Sequence, residues 1–368
     1  MSGAAPGGAR PEPALNGYSL EWVEPGLVLA SARDRLFRAP GADGPFEEVA
    51  RFPTPLALRV AARLRMAQRV LRFMYYNALR LPDDRFFLSF GRDVGVLREG
   101  KVERLKGLLR PARVMRGACA LDAAAGAVYF GEYLNNPGRT PILVYRYRLG
   151  EARLEVAHVF QPGAVRHVHG IYHDPYTGGL WCTTGDRGAE NQILFTPDGF
   201  RTLEVAGGGD ESWRCISLQF TADAVYYGTD AEFIPNHLYR LDRRTGLRER
   251  ITALEGPTYY SCSHRSSCYF GVAAELCPSQ TGRFAALWRV GPDGTAARVL
   301  TVQKDRLDPH YFMPGTLDFP RGPGLADRLL FHVTSLAPDN RCFSVPVPVA
   351  DTGRGALAGA ADTREGFS

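Results

Sequence analysis

The sequence predicts an all-β fold, a single β-propeller of four-stranded blades, with seven blades favoured and six the alternative. Two recurring markers and one absence predict it. The first marker is an apolar strand ending on small or polar residues: LVLASARD from residue 27, RFFLSFGRD from 85, AVYFGEY from 127, GLWCTTGD from 179, AVYYGTDAE from 224, CYFGVAAE from 268 and LLFHVTS from 329. The second is a strand, a turn and a further strand behind each copy, as in ILFTPDGFRTLEV, LYRLDRRTGLRERI and ALWRVGPDGTAARVL. Asp-Gly and Thr-Gly turns between β-rich runs are hairpin signals because glycine accepts positive φ without steric cost. Copies start 42 to 61 residues apart, the spacing of a unit with four strands. What is absent is a sustained 3.6-residue period, which a two-domain α/β chain would show several times.

In chain order, MSGAAPGGARPEPALNG reads as a flexible tail over residues 1–17, ahead of a propeller over 18–354. YSLEWVEP serves either as the inner strand of blade 1 or as the strand that completes the last blade. The stretch 56–71, LALRVAARLRMAQRVL, is the one helix-like segment and falls between blades 1 and 2. Blades 2 to 6 follow with both markers. The last copy, CFSVPVPVADTGRG, carries a weak fourth strand, and 355–368 reads as a second flexible tail.

Composition narrows the function classes. The chain has 368 residues, 45% hydrophobic and 23% charged, with a formal charge of +5; its lysines are confined to positions 101, 106 and 304. No basic run is interleaved with aromatics, which argues against nucleic acid as a partner. No apolar run approaches the ~18 residues needed to span a bilayer, so no membrane partner is expected. The first residues lack the basic and apolar regions of a secretory signal. Seven scattered cysteines without a CxxC pair read as reduced, buried thiols, and together these features predict a cytoplasmic protein.

Residues 194–203, LFTPDGFRTL, carry a motif. The stretch resembles the Asp box of sialidase-like propellers: Thr196, Asp198 and Thr202 fall in register, while Gly199 comes one place early and Leu203 stands for the aromatic. The resemblance covers about ten residues of one blade and implies the propeller fold. FRAP at 37–40 matches that family's early Phe/Tyr-Arg-Ile-Pro motif in letters only, and its arginine triad and nucleophile have no residue-by-residue counterpart here. Sialidase activity is therefore not carried over.

Blade geometry selects a face for chemistry. Starts of inner strands and ends of second strands converge around one mouth of the central channel, where loops on a rigid scaffold commonly place function. The strand starts offer Arg116, His167, His169, Arg214, Tyr260 and His310; the strand ends offer Glu132, Asp186, Asp230 and Glu275. On a strand, His167 and His169 share a face about 6.6 Å apart and reach one ion or one substrate. His173 falls at the opposite end and reads as structural. The expected roles are His167, His169, Tyr260 and Asp186 in proton transfer, with Arg116, Glu132, Arg214, Asp230, Glu275 and His310 gripping substrate. A divalent metal, if present, would take His167 and His169, with His310 favoured as the third ligand and Asp186 or Glu132 as the other candidates. Two guanidinium groups suit a carboxylate, so the leading expectation is an enzyme acting on an anionic or sugar-like substrate. Its reaction would be lyase-like proton abstraction, or hydrolysis by paired carboxylates. The alternatives are a non-catalytic glycan-, peptide- or protein-binding propeller, and a biosynthetic enzyme for a small molecule.

Overall fold

A computed structural model describes residues 8–72, 76–111 and 113–348. Seven four-stranded antiparallel sheets follow one another around the ring, giving a seven-bladed β-propeller. From the channel outward, blade 1 comprises Ser19–Glu24, Leu27–Ala32, Arg35–Ala39 and Glu47–Arg51. The inner strands of blades 2 to 7 are Tyr76–Arg80, Cys119–Asp122, Val168–His173, Gln219–Phe220, Thr258–His264 and Thr316–Asp318. YSLEWVEP is thus blade 1's own inner strand. The blade 7 sheet, Thr316–Asp318, Arg328–Thr334 and Arg341–Pro346, takes its outer strand from Arg10–Pro11, with Arg10 opposite Ser344 and Pro11 opposite Phe343. This corrects two expectations: residues 10–11 close the ring rather than belonging to a loose tail, and the weak fourth strand of the last copy is not needed. Proline is tolerated there because the strand lies on an edge. Leu15, also in the expected tail, is fully buried. The expected tail 355–368 lies outside the described residues.

The first sequence marker has a packing cause. The second strands Phe86–Phe90, Ala127–Gly131, Leu180–Thr184 and Ala224–Gly228 are buried at every position. Each is covered on both faces by neighbouring blades, so it reads as a continuous apolar run rather than an alternating one. Glycine at their ends also has a cause. A Cβ on Gly131 would lie 2.4 Å from the Val168 side chain, and one on Gly228 would lie 2.3 Å from Thr258 Oγ1. The small residue lets the inner strand of the next blade approach.

The stretch 56–71 forms two short helices, Leu56–Ala61 and Arg65–Leu71, as the apolar spacing suggested. The insert crosses the mouth face from blade 1 to blade 7. Arg65 makes a fork-to-fork pair with Asp339 at 2.8 Å for both bonds, and Arg69 pairs with Asp305 at 2.5 Å and donates to the Phe312 carbonyl at 3.0 Å. None of the seven cysteines is disulfide-bonded. Among the described residues no helix is long and apolar enough to cross a membrane.

Candidate metal centre at the channel mouth

His167 lies at the entry to the inner strand of blade 4, His169 is within that strand, and Asp186 follows the second strand by two residues. A bulge between Val168 and Gly170 interrupts the strand register at His169. Gly185, at φ 133°, turns the chain toward Asp186; a Cβ there would sit 2.2 Å from Asn191 Oδ1, so only glycine fits. These local features bring three side chains to one point. His167 Nε2 and His169 Nε2 are 3.0 Å apart, and Asp186 Oδ1 lies 3.3 Å from the first and 3.4 Å from the second.

The outer ring nitrogens decide what those three atoms are. His167 Nδ1 faces the Leu134 carbonyl at 2.9 Å and His169 Nδ1 faces the Cys215 carbonyl at 3.0 Å. Carbonyl oxygens only accept, so each Nδ1 carries the proton, and each neutral ring turns an Nε2 lone pair inward. Two lone pairs and a carboxylate oxygen therefore converge with no donor between them, an arrangement that repels unless a cation sits there. Burial pushes the His169 imidazole down to about 4, so a proton is a poor occupant near neutrality. Burial by itself would raise the Asp186 carboxyl, but the nearby positive charge of Arg214 opposes it, and the group sits well below the usual carboxylate range.

The donor set fits a divalent metal. Ligand bonds near ~2.1 Å place neighbouring ligand atoms about 3.0 Å apart at a right angle and about 3.4 Å at a tetrahedral angle, and the three observed separations fall in that interval. Backbone carbonyls fixing both Nδ1–H groups are the usual outer support for ligating imidazoles. Arg166 Nη1 donates to Asp186 Oδ2 at 2.8 Å, leaving Oδ1 for the centre. His310, expected as a ligand, is not in this group, and Asp186 takes the third place. The physical reason is that blade 7's inner strand begins only at Thr316, while His310 lies on the exposed helical turn Pro309–Phe312.

Beside the centre opens a mouth cavity of about 730 Å³ whose lining includes Arg116, Tyr133, Tyr259, Glu275, Arg283 and His310. Tyr133 joins the two, with its ring centroid 4.1 Å from that of His167. Burial first, then the charges of Asp186 and Asp230, raise its hydroxyl to about 12. Burial raises the Glu275 carboxyl against the opposing hydrogen bond from Tyr259.

The other expected residues are placed differently. Arg116 lines the cavity, but its guanidinium is buried and donates to Glu21 at 3.0 and 3.2 Å and to Ser19 at 2.8 Å. Glu132 is fully buried and turned away from the mouth, accepting from Arg110, the Leu143 amide and the Tyr145 hydroxyl. Arg214 is held between Asp230 at 3.0 Å and Asp186 at 3.4 Å, so its charge is already matched within the protein. Tyr260 packs into the core between blades 6 and 7, with a small part of its surface on the cavity wall. Sequence reasoning missed Tyr133, Arg166, Arg283 and Arg306. Tyr133 and Arg166 are each the immediate neighbour of a named residue; the two distal arginines lie in loops that no motif marks.

The Asp198 turn forms as the Asp-box resemblance implies. Asp198 accepts from the Arg201 and Thr202 amides at 3.0 and 2.9 Å and from Thr202 Oγ1 at 2.9 Å. It joins the outer two strands of blade 4 on the rim opposite the mouth, and therefore serves the turn.

No family profile matches the sequence, and no curated protein sequence does. Solved structures match by shape. An oligogalacturonate lyase in complex with manganese aligns at a TM-score of 0.59 and 11% identity, over 88% of this chain and 85% of that one. The oligogalacturonate lyase of Vibrio parahaemolyticus gives 0.59 and 10%, over 88% and 87%. A chain of a mitotic checkpoint complex gives 0.55 and 10%, over 94% and 96%. At these identities the likeness establishes the seven-bladed β-propeller fold, shared by enzymes and binding proteins.

Proposed function

We propose that the protein is a metal-dependent lyase that cleaves an acidic saccharide by β-elimination at the channel mouth. The observation that carries this reading is the convergence of His167 Nε2, His169 Nε2 and Asp186 Oδ1 beside a cavity rich in arginine. Solved propellers of similar shape include oligogalacturonate lyases, one of them complexed with manganese.

His167, His169 and Asp186 would hold the ion. When bound it supplies Lewis acidity, which acidifies a carbon-bound proton next to a carboxylate. Arg283 and Arg306 on the cavity wall hold the substrate carboxylates. Because His167 and His169 turn their free lone pairs toward each other, the base role falls to His310, the imidazole on the cavity wall. His310 removes the proton beside the carboxylate, the carbon–oxygen bond one position on breaks, and Glu275 returns a proton to the departing oxygen. A carboxyl raised by burial suits that donor role.

The test is incubation of the manganese-loaded protein with oligogalacturonates, following the ultraviolet absorbance of an unsaturated product. His310→Ala is expected to abolish product while retaining binding; His167→Ala and His169→Ala are expected to lose both metal and product. New reducing ends without unsaturation would mean hydrolysis. Binding without either product would support the non-catalytic glycan-binding reading.

A further inference from the structure

We infer that the substrate is an oligomer carrying at least two carboxylates, and that a second anion subsite lies between blades 1 and 7. This rests on the reading of the mouth as a site for acidic saccharide and specifies its substrate.

A second cavity of about 450 Å³ lies against blades 1 and 7 under the helical insert. It adjoins the mouth cavity, because Arg116 and Met313 line both. Each is large enough for a small ligand, which typically fills ~300–1,000 Å³. The walls of the second cavity carry Arg33, Arg35, Arg63 and Arg65. Two of these are matched inside the protein: Arg35 by Glu48 at 3.0 Å and Arg65 by Asp339 at 2.8 Å. The guanidinium groups of Arg33 and Arg63 make no hydrogen bond or ion pair among the described residues. The wall's carboxylate, Asp318, is already occupied, accepting from Thr316 at 2.8 Å and Thr334 at 2.7 Å.

Arg33 sits at φ 61° in the two-residue hairpin that joins Leu27–Ala32 to Arg35–Ala39, a turn whose first residue requires positive φ. In the mouth cavity the guanidinium groups of Arg283 and Arg306 are likewise without partners among the described residues. Two adjoining cavities thus each present two unmatched guanidinium groups. A single small acid would engage one pair and leave the other facing solvent. A chain of acidic sugars places a carboxylate on every unit, and guanidinium forks are the side chains best shaped to take them.

The test is calorimetric titration of the full chain with galacturonic acid and with its dimer, trimer and hexamer, at low salt. For the wild type, affinity is expected to rise with chain length. In the double variant Arg33→Gln/Arg63→Gln the gain from monomer to hexamer shrinks by about tenfold, whereas Arg283→Gln/Arg306→Gln weakens monomer and hexamer alike. Both altered pairs are without internal partners, so melting temperatures close to the wild type verify that the fold is intact. A hexamer that binds the wild type no tighter than the monomer overturns the inference. So does a hexamer affinity unmoved by the Arg33/Arg63 change. Length-dependent binding without an unsaturated product would sink the lyase reading and leave the second subsite standing; cleavage indifferent to Arg33 and Arg63 would do the reverse.

Discussion

Replacing Asp186 with asparagine tests the metal centre with little change of shape. The substitution removes the negative charge of the trio and leaves two neutral imidazoles. Loss of an outer-shell partner alone typically weakens metal affinity 10–100-fold. Loss of a charged direct ligand should therefore reach at least ~100-fold, or about 2.7 kcal/mol. Damage to the metal-free fold is limited by the remaining partners: Arg166 keeps Asn135 at 2.9 Å and Arg214 keeps Asp230 at 3.0 Å. About 1–2 kcal/mol is expected, a fall of roughly 1–3 °C in Tm for a chain of this length. With manganese at ~100 times its Kd the wild type should gain about 2.7 kcal/mol, near 3.5 °C. The same concentration then equals only about one Kd for the variant, giving ~0.4 kcal/mol, about 0.5 °C. Thermal unfolding with and without added metal reads both shifts, and elemental analysis of the purified protein reads occupancy. An undiminished manganese shift in Asp186→Asn, or a wild type that takes up no divalent metal, would refute the assignment.

Three further outcomes follow from the fold. Arg116→Ala leaves Glu21 buried and without its counter-ion, which should cost about 3–5 kcal/mol in denaturant unfolding; a cost below ~1 kcal/mol would show that the axial pair is not structural. Asp174 accepts from Arg243 at 2.5 and 3.0 Å and from Trp181 at 3.0 Å; burial pushes its carboxyl up, but these partners outweigh it and hold it below its ordinary 3.8. A depressed folded-state pKa stabilises above the unfolded value and is lost as pH falls through the folded one. The stability gap between wild type and Asp174→Asn should therefore be constant from neutrality to about pH 4 and close in stronger acid. Asp198→Ala should lower the melting temperature while leaving turnover intact, because the turn it holds lies on the rim opposite the mouth; a loss of activity at unchanged stability would contradict that placement.

The blades and the mouth were legible because they follow from short-range rules. Gly-containing turns close hairpins between neighbouring strands, and buried second strands must be apolar along their whole length. Strand direction alone sends His167, His169, Asp186 and Glu275 to one rim. Which of the rim residues touch was not legible. Glu132 comes one residue after its strand and Asp186 two, an offset that no motif marks, and one turns into the protein toward Arg110 while the other turns toward two imidazoles. Arg116 looked like a substrate grip because its buried partner, Glu21, lies 95 residues away in blade 1.

The sequence by itself determined the repeating four-stranded unit, its strand order, and the face on which polar side chains gather, since each depends on neighbours within a hairpin; that seven units rather than six make the ring came from the structure. Only the tertiary structure decided that Arg10–Pro11 closes the ring, that Asp186 rather than His310 completes the trio, and that unmatched arginines from blades 1, 6 and 7 line adjoining cavities. Those outcomes depend on which segments meet across blades, and local pattern carries no record of such contacts.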